Sequence, residues 1–152
     1  VVRITNLGRD SVHTAGVILN YYATNNSFRL LLPEVLLGPG QDLYLVFGGG
    51  IPTSVANRVF VMSENAFFAS GNSGALLLAD TLSQEVLSAI VLNGYQLPAT
   101  VQIPANVWSG FSTVASGSVG VFRINLQAGA LGWLPATTQQ PTRLGAAVPL
   151  VV

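Results

Sequence analysis

Residues 36–50, "LLGPGQDLYLVFGGG", decide how the chain is read. A Pro-Gly turn leads into "DLYLVF", a short run rich in β-formers, and three glycines close it. Such a run, bounded by turn residues, reads as a β-strand. An antiparallel strand with one wet face alternates apolar and polar residues, but 43–47 is apolar on both faces. The same holds for "LLL" at 30–32, "ALLLA" at 75–79 and "VLSAIVL" at 86–92. Something must cover the second face of these strands.

Outward from this stretch the pattern repeats. Short apolar runs separated by Gly, Pro, Asn and Ser predict strands near 1–5, 15–22, 27–32, 42–47, 57–62, 75–79, 86–92, 99–103, 119–126 and 131–134. A last strand is predicted within 146–152. No window carries a capped i, i+3, i+4, i+7 stripe, so little helix is expected. "TLSQEVLSAI" comes nearest to one and is read as part of a hairpin. The expected fold is an all-β antiparallel sandwich over 1–126, with 127–152 as a C-terminal extension or arm packing on the same or a neighbouring domain.

Composition narrows the function. Of 152 residues, 50% are apolar and only 8% charged, far below the usual quarter. Six arginines balance six carboxylates, lysine is absent, and no basic cluster exists to hold phosphates, so nucleic-acid binding is not expected. No apolar run is long enough to span a bilayer. Without cysteine there are no disulfides or thiolate sites. Val1 in place of an initiating methionine suggests that preceding residues, such as a signal peptide, were removed.

Catalytic constellations are not legible. His13 is the lone histidine, beside Asp10 and Ser11 in a polar turn. Asp10, Glu34, Asp42, Glu64, Asp80 and Glu85 stand singly, without metal-ligand spacing, and Asp42 and Asp80 read as turn acceptors. "GNSGA" at 71–75 lacks the last glycine of a nucleophile elbow, and "FGGG" at 47–50 lacks a following lysine or helix. Arg3 and Arg123 read as outward strand residues, and Arg29 as a partner for Glu34. Tyr21–Tyr22, Phe67–Phe68, Trp108 and Trp133 offer either core packing or an aromatic platform for glycan. Asn25 begins an Asn-x-Ser sequon and is a possible glycosylation site. No metal, cofactor or enzymatic activity is expected.

The order of motifs resembles the lamin-tail domain family. Asn6, Gly8, Gly16 and Leu19 match its opening strand and turn. Phe28, Pro33, Leu37, Pro39 and Gly40 match its next strand and Leu-x-Pro-Gly turn. Asn72, Gly74 and Asp80 match its Asn-x-Gly hairpin, while "SGSVGVFR", Trp133 and "PTRLG" resemble the ending of prokaryotic members. The resemblance implies an immunoglobulin-like sandwich. Two departures stand out: the family's preceding strand is absent, and Val17 replaces its usual tryptophan. A missing edge strand suggests completion by a strand donated from another subunit, for which "AAVPLVV" is suited, or by the chain's own tail.

The expected function is a non-enzymatic structural subunit that self-assembles through apolar sheet surfaces into an extracellular filament or surface layer. Its interface is expected at Leu31, Tyr44, Val46, Leu77, Leu87 and Val91 with Val148, Leu150 and Val152 of the tail. The alternatives are a virion subunit, for capsid decoration or a tail, and an appended carbohydrate- or protein-binding module.

Overall fold

The computed structural model describes residues 2–47, 52–64, 73–108, 120–123, 133–136 and 148–151, and for the last three segments the backbone alone. Among these residues there is no helix, and the protein is an all-β sandwich. The front sheet has the order β12-β1-β6-β7, from β1 (Val2–Thr5), β6 (Asp42–Phe47), β7 (Val59–Met62) and β12 (Val148–Val151). The back sheet has the order β4-β3-β8-β9, from β3 (Val17–Ala23), β4 (Asn26–Leu31), β8 (Gly74–Asp80) and β9 (Val86–Leu92). Two small pairs complete it: β2 (Val12–His13) with β5 (Leu36–Leu37), and β10 (Gly120–Arg123) with β11 (Trp133–Ala136).

Strand alternation assigns the core. Val2, Ile4, Leu43 and Leu45 of the front sheet join Leu19, Tyr21, Leu76, Leu78, Ile90 and Leu92 of the back sheet in one buried cluster. Within the back sheet Tyr21 stacks on its paired Phe28 at 4.8 Å, and Phe28 meets Phe47 of the front sheet at 5.8 Å.

The Pro-Gly turn sits where the sequence places it. The Gln41 N–H donates to the Gly38 carbonyl at 3.0 Å, and Gly40 takes φ +71°, the left-handed conformation that this turn reserves for glycine. Asn6 ties the turn to the rest. Fully buried, it donates from Nδ2 to the carbonyls of Asp10 and Leu37, both at 2.8 Å, and its Oδ1 accepts the Gly8 N–H at 2.9 Å. The Asn-x-Gly and Leu-x-Pro-Gly motifs thus meet at one end of the sandwich as a structural knot.

Two sequence expectations are corrected, and one of two open alternatives is seen in the chain itself. Residues 99–103 form no strand: between Pro98 and Pro104 the chain turns, with Val101 N–H bonded to the Pro98 carbonyl at 2.8 Å. Asp42 serves no turn. It lies on β6 and accepts the Thr5 hydroxyl at 2.7 Å and the Tyr44 hydroxyl at 3.0 Å. At the edge of the front sheet, β12 runs parallel to β1 of the same chain, pairing Val2 with Val148 and Thr5 with Val151. Within the single chain the tail lies beside β1, the second of the two ways of completing that edge.

Candidate functional site

The back sheet answers what covers the second face of the apolar strands. Its register sets three rows across the outer surface: Leu31–Ile18–Ala79–Val86, Arg29–Asn20–Leu77–Ala89 and Ser27–Tyr22–Ala75–Val91. The connection 93–108 folds back over the β8–β9 side of these rows. Trp108 is buried at 5% exposure, and Tyr95, Leu97, Val101, Ile103 and Val107 pack against the same core. Its prolines and turns lay apolar side chains on the sheet without adding another strand, leaving a small cavity of about 270 Å3 beside Val91 and Trp108.

This cover stops short of β3 and β4. Between its edge and the exposed strand lies a groove of about 550 Å3. The floor is Asn20, Tyr22, Leu77 and Ala79; Arg29 flanks it on β4, and Gln84, Val86 and Thr100–Gln102 form the other wall. No lining residue is acidic. Asn20 is only 9% exposed, yet its side-chain amide has no hydrogen-bond partner among the described residues. The Tyr22 phenol is held above its ordinary pKa by burial, an effect that the nearby Arg29 guanidinium opposes and the Tyr95 side chain reinforces. It is therefore a neutral donor at physiological pH. Gln84, held in the left-handed region at φ 59°, donates from Nε2 to the Thr81 carbonyl at 2.6 Å, so its Oε1 stays free to accept.

The residues expected at a subunit interface divide sharply. Tyr44 and Val46 are buried with Val59 on the outward side of the front sheet, and Val61 packs against them. Leu77 and Val91 are buried in the main core cluster. All four are covered within this chain, because both-face apolarity here is met by the chain's own packing, so none offers an open surface. Leu31 is 63% exposed on β4. Leu87 is 39% exposed because the register slips between Leu78–Ser88 and Ala79–Val86, leaving it as the extra residue of a bulge. Val148 and Leu150 lie on β12, where only the backbone is described, and Val152 lies outside the described residues. Asn25 is exposed in the two-residue turn between β3 and β4.

Elsewhere, Arg29 makes no ion pair with Glu34; strand alternation turns it toward the groove instead. His13 is exposed on β2, where its Nδ1 accepts the Ala15 N–H at 3.1 Å. Ser73 is half-buried just before β8. Asp80 does serve its turn: its carboxylate accepts the N–H groups of Leu82 and Ser83 and the Ser83 hydroxyl. Phe67, Phe68 and Gly48–Gly50 lie outside the described residues, as do the side chains of Arg123 and Trp133. Among the described residues no group of three or more His, Asp or Glu side chains could hold a metal, and no helix is long and apolar enough to cross a membrane.

The groove residues Asn20, Gln84 and Gln102 carry a sequence signal only in part. Asn20 is the lone polar residue within the buried run "VILNY", and a buried polar group asks for a partner. Nothing local places residues 100–102 opposite it. No known family model matches the chain, and no curated protein matches its sequence.

Proposed function

We propose that the protein is a non-enzymatic structural subunit, a lamin-tail-like and immunoglobulin-like sandwich that joins copies of itself in an extracellular filament or surface layer. The observation that supports this reading is β4. Among the described residues it stands at the edge of the back sheet, six residues long, with neither proline nor bulge and a single charged residue, Arg29, to guard it. Leu31 projects from it, and Leu36 on the neighbouring β5 is 60% exposed. The low charge content adds to this, since few ionic groups keep the surface solvated. Assembly thus runs through an edge and its exposed leucines rather than through Tyr44, Val46, Leu77 and Val91, which are buried within the chain.

Burying an exposed leucine contributes about 1.5–3 kcal/mol, so Leu31→Lys weakens self-association at least about tenfold. Sedimentation velocity over a range of concentrations, with negative-stain microscopy, tests this. The wild type forms concentration-dependent larger species, and the Leu31→Lys variant shifts them toward the single chain. A wild type that remains a single particle at high concentration refutes the proposal.

A further inference from the structure

We infer that the groove between β3–β4 and the 100–102 segment is a binding site for an acidic saccharide, with Arg29 meeting the carboxylate and Asn20 the ring hydroxyls. Three observations carry it. Asn20, a residue only 9% exposed, lines the groove with an amide that solvent reaches there and that has no hydrogen-bond partner among the described residues. Such an amide can exchange its water for a ligand hydroxyl without breaking any bond within the protein. Arg29 supplies a guanidinium with no acidic residue in the lining to neutralise it. Its planar fork suits a carboxylate, which it can hold through two parallel bonds. At about 550 Å3 the groove also falls within the size of small-molecule clefts, ~300–1,000 Å3.

The mixture of groups selects the ligand class. The amides of Asn20, Gln84 and Gln102 both donate and accept, as vicinal hydroxyls do. The half-buried Tyr22 ring, with Ala79 on the floor and Val86 in the wall, gives apolar surface for the C–H face of a sugar ring. An extended peptide is the poorer fit. Peptides dock on sheets by backbone pairing at an edge, and β3 is already paired on both sides, by β4 and β8. At the groove floor only side chains are on offer.

An array of uronate- and sialate-terminated glycans with their neutral counterparts, followed by titration calorimetry with trigalacturonate and maltotriose, tests the inference. Trigalacturonate binds, Arg29→Gln weakens it about tenfold, and maltotriose binds more weakly and is indifferent to that change. Asn20→Ala weakens both sugars. Arg29 is exposed and Asn20 has no partner to lose, so both variants keep the wild-type urea unfolding midpoint. Retention of tight trigalacturonate binding by both variants, or the absence of any acidic glycan bound on the array, overturns the assignment. So does binding of an acidic peptide in place of the sugars. The readout does not depend on self-association: an assembling protein that binds no saccharide refutes this site alone.

Discussion

Replacing Asn6 by alanine removes three hydrogen bonds from the closed end of the sandwich. Two are donated by Nδ2, to the Asp10 and Leu37 carbonyls, and one is accepted by Oδ1 from the Gly8 N–H. The bonds to Asp10 and Gly8 are partly buried, so water replaces them at a net loss of about 0.5–1 kcal/mol each. The Leu37 bond is buried, and a carbonyl left there without its donor costs about 1–3 kcal/mol. The sum is about 3 kcal/mol. The backbone bonds Asn6 N–H to Gln41 O and Gly40 N–H to Asn6 O do not involve the side chain and persist. Urea unfolding of Asn6→Ala is expected to show a lower midpoint with an unchanged slope, because the surface exposed on unfolding is the same. For a chain of this size that loss lowers Tm by roughly 6–12 °C. Asn6→Asp separates the two halves of the argument. It keeps the acceptor for Gly8 but loses both donors and sets a carboxylate against two carbonyls, so at neutral pH it is no more stable than the alanine variant. A loss below about 1 kcal/mol for Asn6→Ala, or an Asn6→Asp variant near wild type, refutes the claim that this side chain holds the three segments together.

Two further outcomes follow from the packing and the turns. Trp108→Ala removes the largest side chain of the segment lying over β8–β9, and is expected to cost about 3 kcal/mol in urea unfolding, at the low end for a buried tryptophan because a cavity already adjoins it; a cost near zero means the segment does not seal the sheet. Asp80 has its pKa lowered by the Ser83 N–H and hydroxyl and then by the Leu82 N–H, so its contribution to the β8–β9 turn is present above the ordinary carboxylate pKa and is lost as pH falls through the lowered one. Amide exchange at Leu82 and Ser83, corrected for intrinsic rates, should speed up in that acid window in the wild type and lack that acid transition in Asp80→Asn.

How far the sequence reaches is visible in particular residues. Local signals placed the central strands: β-formers bounded by Gly, Pro and Asn, read as strands at 1–5, 15–22, 27–32, 42–47, 57–62, 75–79 and 86–92, fall within about two residues of the observed ends. The Pro39–Gly40 turn and the Asp80 turn were legible because their chemistry lies within a few residues. The run 99–103 was misread because its residue types suit a strand, while Pro98 and Pro104 beside it enforce turns.

The sequence alone establishes an all-β chain with too many apolar residues for sheets wet on one side. Only the tertiary structure decides what lies over them. Tyr44, Val46, Leu77 and Val91 look alike with Leu31 and Leu87 in sequence, yet the first four are buried and the last two are not. Burial depends on which distant segment crosses which face, and residues 93–108 reach β8 and β9 but stop short of β4. The same long-range placement leaves Asn20 and Arg29 together beside Gln102 in an open groove, a neighbourhood with no local signature.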